Sequence, residues 1–309
     1  MRNQQETLRS VAACPACRGS FGDAWGCTGC GRSFPVAHGR PVLLLDGAAE
    51  AAKENDVVRA QGRAREGQRR PGIRGLADQV RAACTADLFA DDRVQVRALV
   101  DCLAGTLPAN APVLDVGACE QYYRSDIERL GPVLALDVAV YGATDVIGDA
   151  HALPFRDASL GAVVVIEVLE HLRRPWHFFQ EAARTLAPGG VLVGVAPQYC
   201  PTHGFPYDFF RYTRGGLTSL AEGEGLAVEQ LWPLGGRWGT LLHWYWANHA
   251  RENPLRRVPG VGVAYHAWFQ AVAKALDTLD ARDGRGANAP IAEHQDHVGW
   301  SFVFRKPRT

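Results

Sequence analysis

The chain has 309 residues, of which 47% are hydrophobic and 21% charged, enough apolar material for one large domain and a small appendage. Its 33 Lys and Arg balance 33 Asp and Glu, so it lacks the basic field that holds a nucleic acid. No apolar stretch is long enough to cross a bilayer, and Met1-Arg-Asn-Gln-Gln-Glu6 contains no apolar leader core, so neither a spanning helix nor secretion is expected.

Cys14-Pro-Ala-Cys17 and Cys27-Thr-Gly-Cys30-Gly31 form two CxxC pairs. Such spacing brings four thiolates within reach of one tetrahedral Zn²⁺, and four soft ligands leave no open position, so the ion would be structural. A short segment buries little apolar surface, and a metal supplies the missing stability. The alternative is four free buried cysteines. The quartet points to a reducing compartment, and with no leader expected the predicted location is cytoplasmic. The run from Phe34 to Leu45 reads as the last strand of a zinc-ribbon-like module over residues 1–45, with His38 either a fifth candidate ligand or a residue of a surface turn. Residues 46–92 read as a linker with a helix near 48–58. Its Arg-, Gly- and Gln-rich stretch at 59–74 is a solvated segment whose arginines could alternatively contact phosphate.

The remainder, 93–309, alternates helical and strand patterns. Apolar spacing predicts a helix at 94–103. Strands covered on both faces, marked by continuous apolar runs, are expected at 112–117 with its turn, 133–137, 145–150, 162–167 and 191–196. The first ends in Asp115-Val-Gly117-Ala-Cys119, and the second in Asp137, about 20 residues further on, where an acid can accept hydrogen bonds from ribose hydroxyls. The third ends in Asp149-Ala150 and runs into His151-Ala-Leu153-Pro-Phe155, and the fourth ends at Glu167, which opens Glu167-Val-Leu-Glu170-His171. A helix at 178–186 and a sharp turn at Leu186-Ala-Pro-Gly-Gly190 precede the fifth. Strands at 226–234 and 298–304 close the domain, separated by an unusually long insertion at about 236–297.

In this order the signatures resemble the class I S-adenosylmethionine-dependent methyltransferases, of the methyltransferase-11 type. The resemblance implies an α/β Rossmann-like sheet of seven strands, the last antiparallel, here with a small N-terminal zinc ribbon and a helical insertion before the last strand. It implies that Asp115, Gly117 and Cys119 border the methionine and ribose parts of the cofactor, that Asp137 holds the ribose, that Asp149 and Ala150 hold the adenine, and that Glu167 begins the reaction region. Cys119 departs from the family's Asp-x-Gly-x-Gly, placing a side chain where the backbone passes closest to the cofactor. Glu167, Glu170 and His171, with His203, also match the ligand spacing of metal-dependent small-RNA 2′-O-methyltransferases. The competing reading is that His171 caps structure or borders the cofactor.

The loop at 197–213, Pro-Gln-Tyr199-Cys-Pro-Thr-His203-Gly-Phe-Pro-Tyr207-Asp208-Phe-Phe-Arg211-Tyr212-Thr213, is dense in groups that bind substrate or move protons. It resembles a segment of a bacterial subgroup linked to glycan and secondary-metabolite pathways. His203 is the expected base, because an imidazole titrates near neutral pH, with His171 and Tyr207 as further catalytic candidates. Tyr199, Asp208, Arg211 and Tyr212 are candidate substrate contacts. The plainer alternative is that Asp208 pairs with Arg211, Tyr212 packs and Thr213 caps the next helix. The insertion carries Trp238, Trp244, Tyr245, Trp246, Tyr265, Trp268 and Phe269 on helices expected at 239–251 and 263–279, and reads as a lid, a homodimer surface or a membrane-interface contact. The leading expectation is methyl transfer to a small-molecule or glycan-precursor acceptor by in-line displacement. The rivals are an rRNA-type methyltransferase and a non-catalytic or non-methylating homologue that still binds S-adenosylmethionine.

Overall fold

The computed structural model describes residues 2–45, 92–108, 110–139, 144–234 and 298–308, with isolated helical positions between 240 and 279. The linker apart from Asp92 and nearly all of the aromatic insertion lie outside the described residues.

Among the described residues nine strands form one sheet. They are β1 (Val36–Ala37), β2 (Arg40–Leu43), β3 (Val113–Val116), β4 (Val133–Asp137), β5 (Val146–Gly148), β6 (Leu160–Ile166), β7 (Leu186–Pro197), β8 (Ala227–Leu234) and β9 (Gly299–Arg305). Their spatial order is β1-β2-β5-β4-β3-β6-β7-β9-β8. Strands β2, β5, β4, β3, β6 and β7 run parallel, whereas β9 runs antiparallel to both β7 and β8. Every residue of β3, β4, β5 and β6 is buried, as continuous apolar runs require when helices cover both faces. On one face helix α2 (Asp92–Leu103) sets Val96, Leu99, Val100 and Leu103 against Val113, Val164 and Val193. On the other, α4 (Pro175–Thr185) contributes Phe178 and Phe179. A short α3 (Arg124–Ile127) follows β3, and α5 (Arg214–Gly223) precedes β8.

The expected seven strands are thus extended by two from the N-terminal segment, which is docked against the sheet rather than appended to it. Val42 and Leu43 of β2 pair in parallel with Ile147 and Gly148 of β5. Helix α1 (Arg2–Val11) buries Leu8 and Val11 and sends Gln4 to Asp145 and to the Val133 carbonyl. Ala12 and Ala13 form backbone contacts with Phe155 and Pro154. Arg18, directly after the first CxxC pair, makes a two-pronged ion pair at 2.8–2.9 Å with buried Glu181 of α4, whose carboxylate also binds Arg184.

Two local expectations change. Leu186-Ala-Pro-Gly-Gly190 is not a turn outside the strand but the irregular start of β7: pairing with β6 jumps from Leu160–Leu186 to Ala162–Val191, and Gly189 absorbs the bend at φ 81°. The 34–45 run is a hairpin, in which His38 and Gly39 occupy the turn with positive φ, so His38 belongs to a turn and not to the cysteine cluster.

Candidate functional site

The carboxyl ends of β3, β4, β5 and β6 line one edge of the sheet, and each carries an acid. Asp115 is buried, and burial together with the nearby Asp137 carboxylate pushes it up to about 7 despite the opposing Arg124 charge. Asp137 accepts hydrogen bonds from the backbone N–H groups of Cys119 and Ala139, both at 3.0 Å. Asp149 accepts from the His151 N–H at 2.9 Å and from its Nδ1 at 2.7 Å. Burial would raise this carboxyl, but the two His151 contacts outweigh it and lower it. Ala150 is buried beside it, and Glu167 closes β6 with φ 51°, its N–H bonded to the Val195 carbonyl.

The turn after β3 explains its glycine. Gly117 sits at φ 68°, and a Cβ there would meet the Val168 side chain at 2.5 Å. Cys119 takes φ 51° with a full side chain, in the left-handed region that favours glycine. Its backbone bears a conformational cost there, and its N–H holds the Asp137 carboxylate in place.

Beyond β6 a 3₁₀ turn, Leu169–His171, carries Glu170 and His171, and the 198–213 loop folds over it. The N–H groups of Phe209 and Phe210 donate to the Glu170 carbonyl. Gly204, at φ 65°, lets the loop lie against the His171 ring, where a Cβ would come within 3.3 Å. The loop thereby brings His203 to His171, with ring centroids 4.8 Å apart. His171 Nδ1 lies 2.6 Å from the Tyr207 carbonyl, and His203 Nδ1 lies 3.1 Å from the Pro201 carbonyl. Cys200 Sγ is 3.6 Å from the same His203 nitrogen, and with Glu170 it pushes the imidazole up to about 11.

The four residues expected at the acceptor play three different parts. Arg211 pairs with Asp208 through both guanidinium ends, at 2.6 and 2.9 Å, and holds the Cys200 and Pro201 carbonyls. Asp208, kept at about 2 chiefly by that guanidinium, receives the His203 N–H. This pair braces the loop. Tyr212 is buried and its hydroxyl donates to the Leu169 carbonyl, so it packs beneath the site and leaves no ring face for an acceptor. Tyr199 and Phe205 are exposed at the loop surface, and Thr213 caps α5 through the Gly216 N–H. Sequence reasoning passed over Cys200 and Val168, neither of which belongs to a recognisable spacing.

In the N-terminal segment Cys14, Cys17, Cys27 and Cys30 converge. Cys14 and Cys30 sulfurs are 3.8 Å apart and those of Cys17 and Cys27 are 3.4 Å apart. The edge of a ZnS₄ tetrahedron with bonds of roughly 2.3 Å is about 3.8 Å. The Gly29 and Cys30 N–H groups donate to Cys27 Sγ, and hydrogen bonding from the backbone lowers that thiol to about 6. Gly19 is packed against the sulfurs, where a Cβ would lie 3.0 Å from Cys27 Sγ.

Residues 114–194 match the family profile described as a methyltransferase domain. A protein of Mycolicibacterium smegmatis named a probable S-adenosylmethionine-dependent methyltransferase is 33% identical over 140 residues, covering 39% of this chain and 54% of its own length. An uncharacterized methyltransferase of Mycobacterium avium is 29% identical over 123 residues, covering 34% of this chain and 47% of the relative. The chain spans about half the length of these curated relatives. Among solved structures, the geranyl diphosphate C-methyltransferase of Streptomyces coelicolor covers 73% of this chain and 82% of its own, at 15% identity and a TM-score of 0.43.

Proposed function

We propose that the chain transfers methyl groups from S-adenosylmethionine to a small-molecule or glycan-precursor acceptor. The observation that carries this reading is the run of acids at the carboxyl edge, Asp115, Asp137 and Asp149 on three adjacent parallel strands, inside the segment that matches the methyltransferase profile. The donor set fits such a cofactor. A molecule bearing an ammonium, a sulfonium and ribose hydroxyls offers positive charge and donors to an edge rich in carboxylates. Asp115, raised to about 7 without a cationic ligand, would ionise fully beside one.

When bound, the cofactor supplies an activated methyl group and its own leaving group. The protein's part is placement. Gly117 and Cys119 shape the turn against the cofactor, with Asp137 for the ribose and Asp149 with Ala150 for the adenine. Glu167 and the 3₁₀ turn lead to the acceptor side, where Tyr199, Tyr207 and the Asp208–Arg211 brace set the loop that would hold the acceptor and exclude water. His171 is the residue able to take a proton there: its Nδ1–H is spent on the Tyr207 carbonyl, which leaves Nε2 as the acceptor. The cysteine cluster would hold one structural Zn²⁺. No helix among the described residues is long and apolar enough to cross a membrane.

Calorimetric titration with S-adenosylmethionine tests the reading. Wild type should bind at micromolar concentration, and Asp137→Asn should bind at least about tenfold more weakly, since a charged acceptor of ribose hydroxyls is worth about 1.5–3 kcal/mol. Absence of heat in the zinc-loaded wild type would sink it.

A further inference from the structure

We propose that Glu170, His171 and His203 bind a divalent transition-metal ion beside the acceptor loop. Glu170 is fully buried, and neither carboxylate oxygen has a hydrogen-bond partner among the described residues. A buried carboxylate without hydrogen bonds is costly, by several kcal/mol in general, and calls for a cation, either an imidazolium or a metal ion. Two imidazoles face the same oxygen. His171 Nε2 lies 3.8 Å and His203 Nε2 3.7 Å from Oε1. These separations are too long for hydrogen bonds and suit ligand atoms arranged around an ion. The molecule supplies its own contrast, since His151 and Asp149, a plain histidine–carboxylate pair, stand at 2.7 Å.

The ring orientations are those of ligands. A carbonyl oxygen only accepts, so the Nδ1 atoms of His171 and His203 donate to Tyr207 and Pro201, and both Nε2 atoms turn toward Glu170. Fixing the second ring nitrogen on a backbone carbonyl is the usual support of a metal-bound histidine. All three ligand atoms lie within 4.8 Å of one another. Two nitrogens and one oxygen suit Mn²⁺, Fe²⁺, Co²⁺ or Zn²⁺ rather than Ca²⁺ or Mg²⁺, which prefer all-oxygen shells. Three protein ligands leave positions open, and the His203 side chain is 41% exposed, so an outside oxygen ligand can reach the ion. The metal site stands by itself. The task we assign to the ion, holding a hydroxyl, carboxylate or phosphate oxygen of the acceptor, rests on the methyl-transfer reading. With the ion bound, His171 and His203 act as ligands and not as bases.

Mn²⁺ alone is the probe, because the thiolate cluster favours softer ions. Full-length, zinc-loaded protein is titrated while the free Mn²⁺ signal is followed by electron paramagnetic resonance. Wild type should remove one equivalent. His203→Ala, on the exposed loop, should weaken uptake at least tenfold with an unchanged far-ultraviolet circular dichroism spectrum, and Glu170→Gln should abolish it. Uptake of no Mn²⁺ by wild type would show that a His203 imidazolium merely neutralises Glu170, and would overturn the proposal. Equal uptake by His203→Ala would overturn it too, even if Glu170→Gln fails to fold. Calorimetry on the same samples separates the two proposals: cofactor heat without Mn²⁺ uptake removes the ion alone, and the reverse removes the methyl-transfer reading alone.

Discussion

The N-terminal segment and the carboxyl edge of the sheet treat polar groups in opposite ways. In residues 2–45 charges and donors are matched. Glu181 is held by Arg18 and Arg184, Gln4 reaches Asp145, and Cys27 sulfur receives two N–H groups. At the carboxyl edge Asp115 is driven toward neutrality, Glu170 is buried without a hydrogen bond among the described residues, and Cys119 and Glu167 sit at positive φ. Strain and uncompensated charge survive only where something else is gained, and here they cluster where the acids converge. Substitutions should therefore destabilise the first region and stabilise the second.

The largest effect is expected at the cysteine cluster. If the quartet holds the proposed zinc, Cys27→Ser should remove it and lower the unfolding midpoint by well over about 10 °C, because a structural ion contributes its binding energy to folding. Elemental analysis alongside a thermal scan checks this, and an unchanged midpoint would erase the contrast. Next comes Asp115→Asn. A carboxyl raised to about 7 from 3.8 stabilises the fold below pH 4 and loses that contribution as pH rises through 7. The amide lacks this loss, so the variant should match wild type near pH 4, gain progressively above it, and exceed it by up to about 4 kcal/mol at pH 8 while binding S-adenosylmethionine more weakly. Denaturant titrations at several pH values read it directly. The smallest change is Cys119→Gly, which should relieve about 1 kcal/mol of left-handed strain and tighten cofactor binding a few-fold. A weaker cofactor complex in this variant would mean that the sulfur itself contributes.

The carboxyl edge was the more legible region. Strand β4 occupies the predicted residues without adjustment, and β3, β5, β6 and β9 shift only at their ends, because buried parallel strands write continuous apolar runs. Helix α1 was not foreseen. Its sequence is mostly polar, and the two residues that bury, Leu8 and Val11, do so against partners far along the chain. The pairing of β2 with β5 was equally hidden, since register between distant strands leaves no local mark. Glu170 and His171 stand together in the sequence, but only the loop return that seats Gly204 against the imidazole brings His203 to them. The roles of Asp208, Arg211 and Tyr212 required knowing which carbonyls lay nearby.

Strand β2 also decides how the protein can be cut. With it in place, β5 is an interior strand, and among the described residues that flank of the sheet ends in the two-residue β1, too short to template another chain. A truncation that begins near residue 114, where the family resemblance begins, would leave the flank of Val146–Gly148 as a bare, apolar edge with unpaired amides and carbonyls. Such a fragment should aggregate through that edge, however complete its cofactor motifs. The boundary of resemblance is not the boundary of an autonomous folding unit.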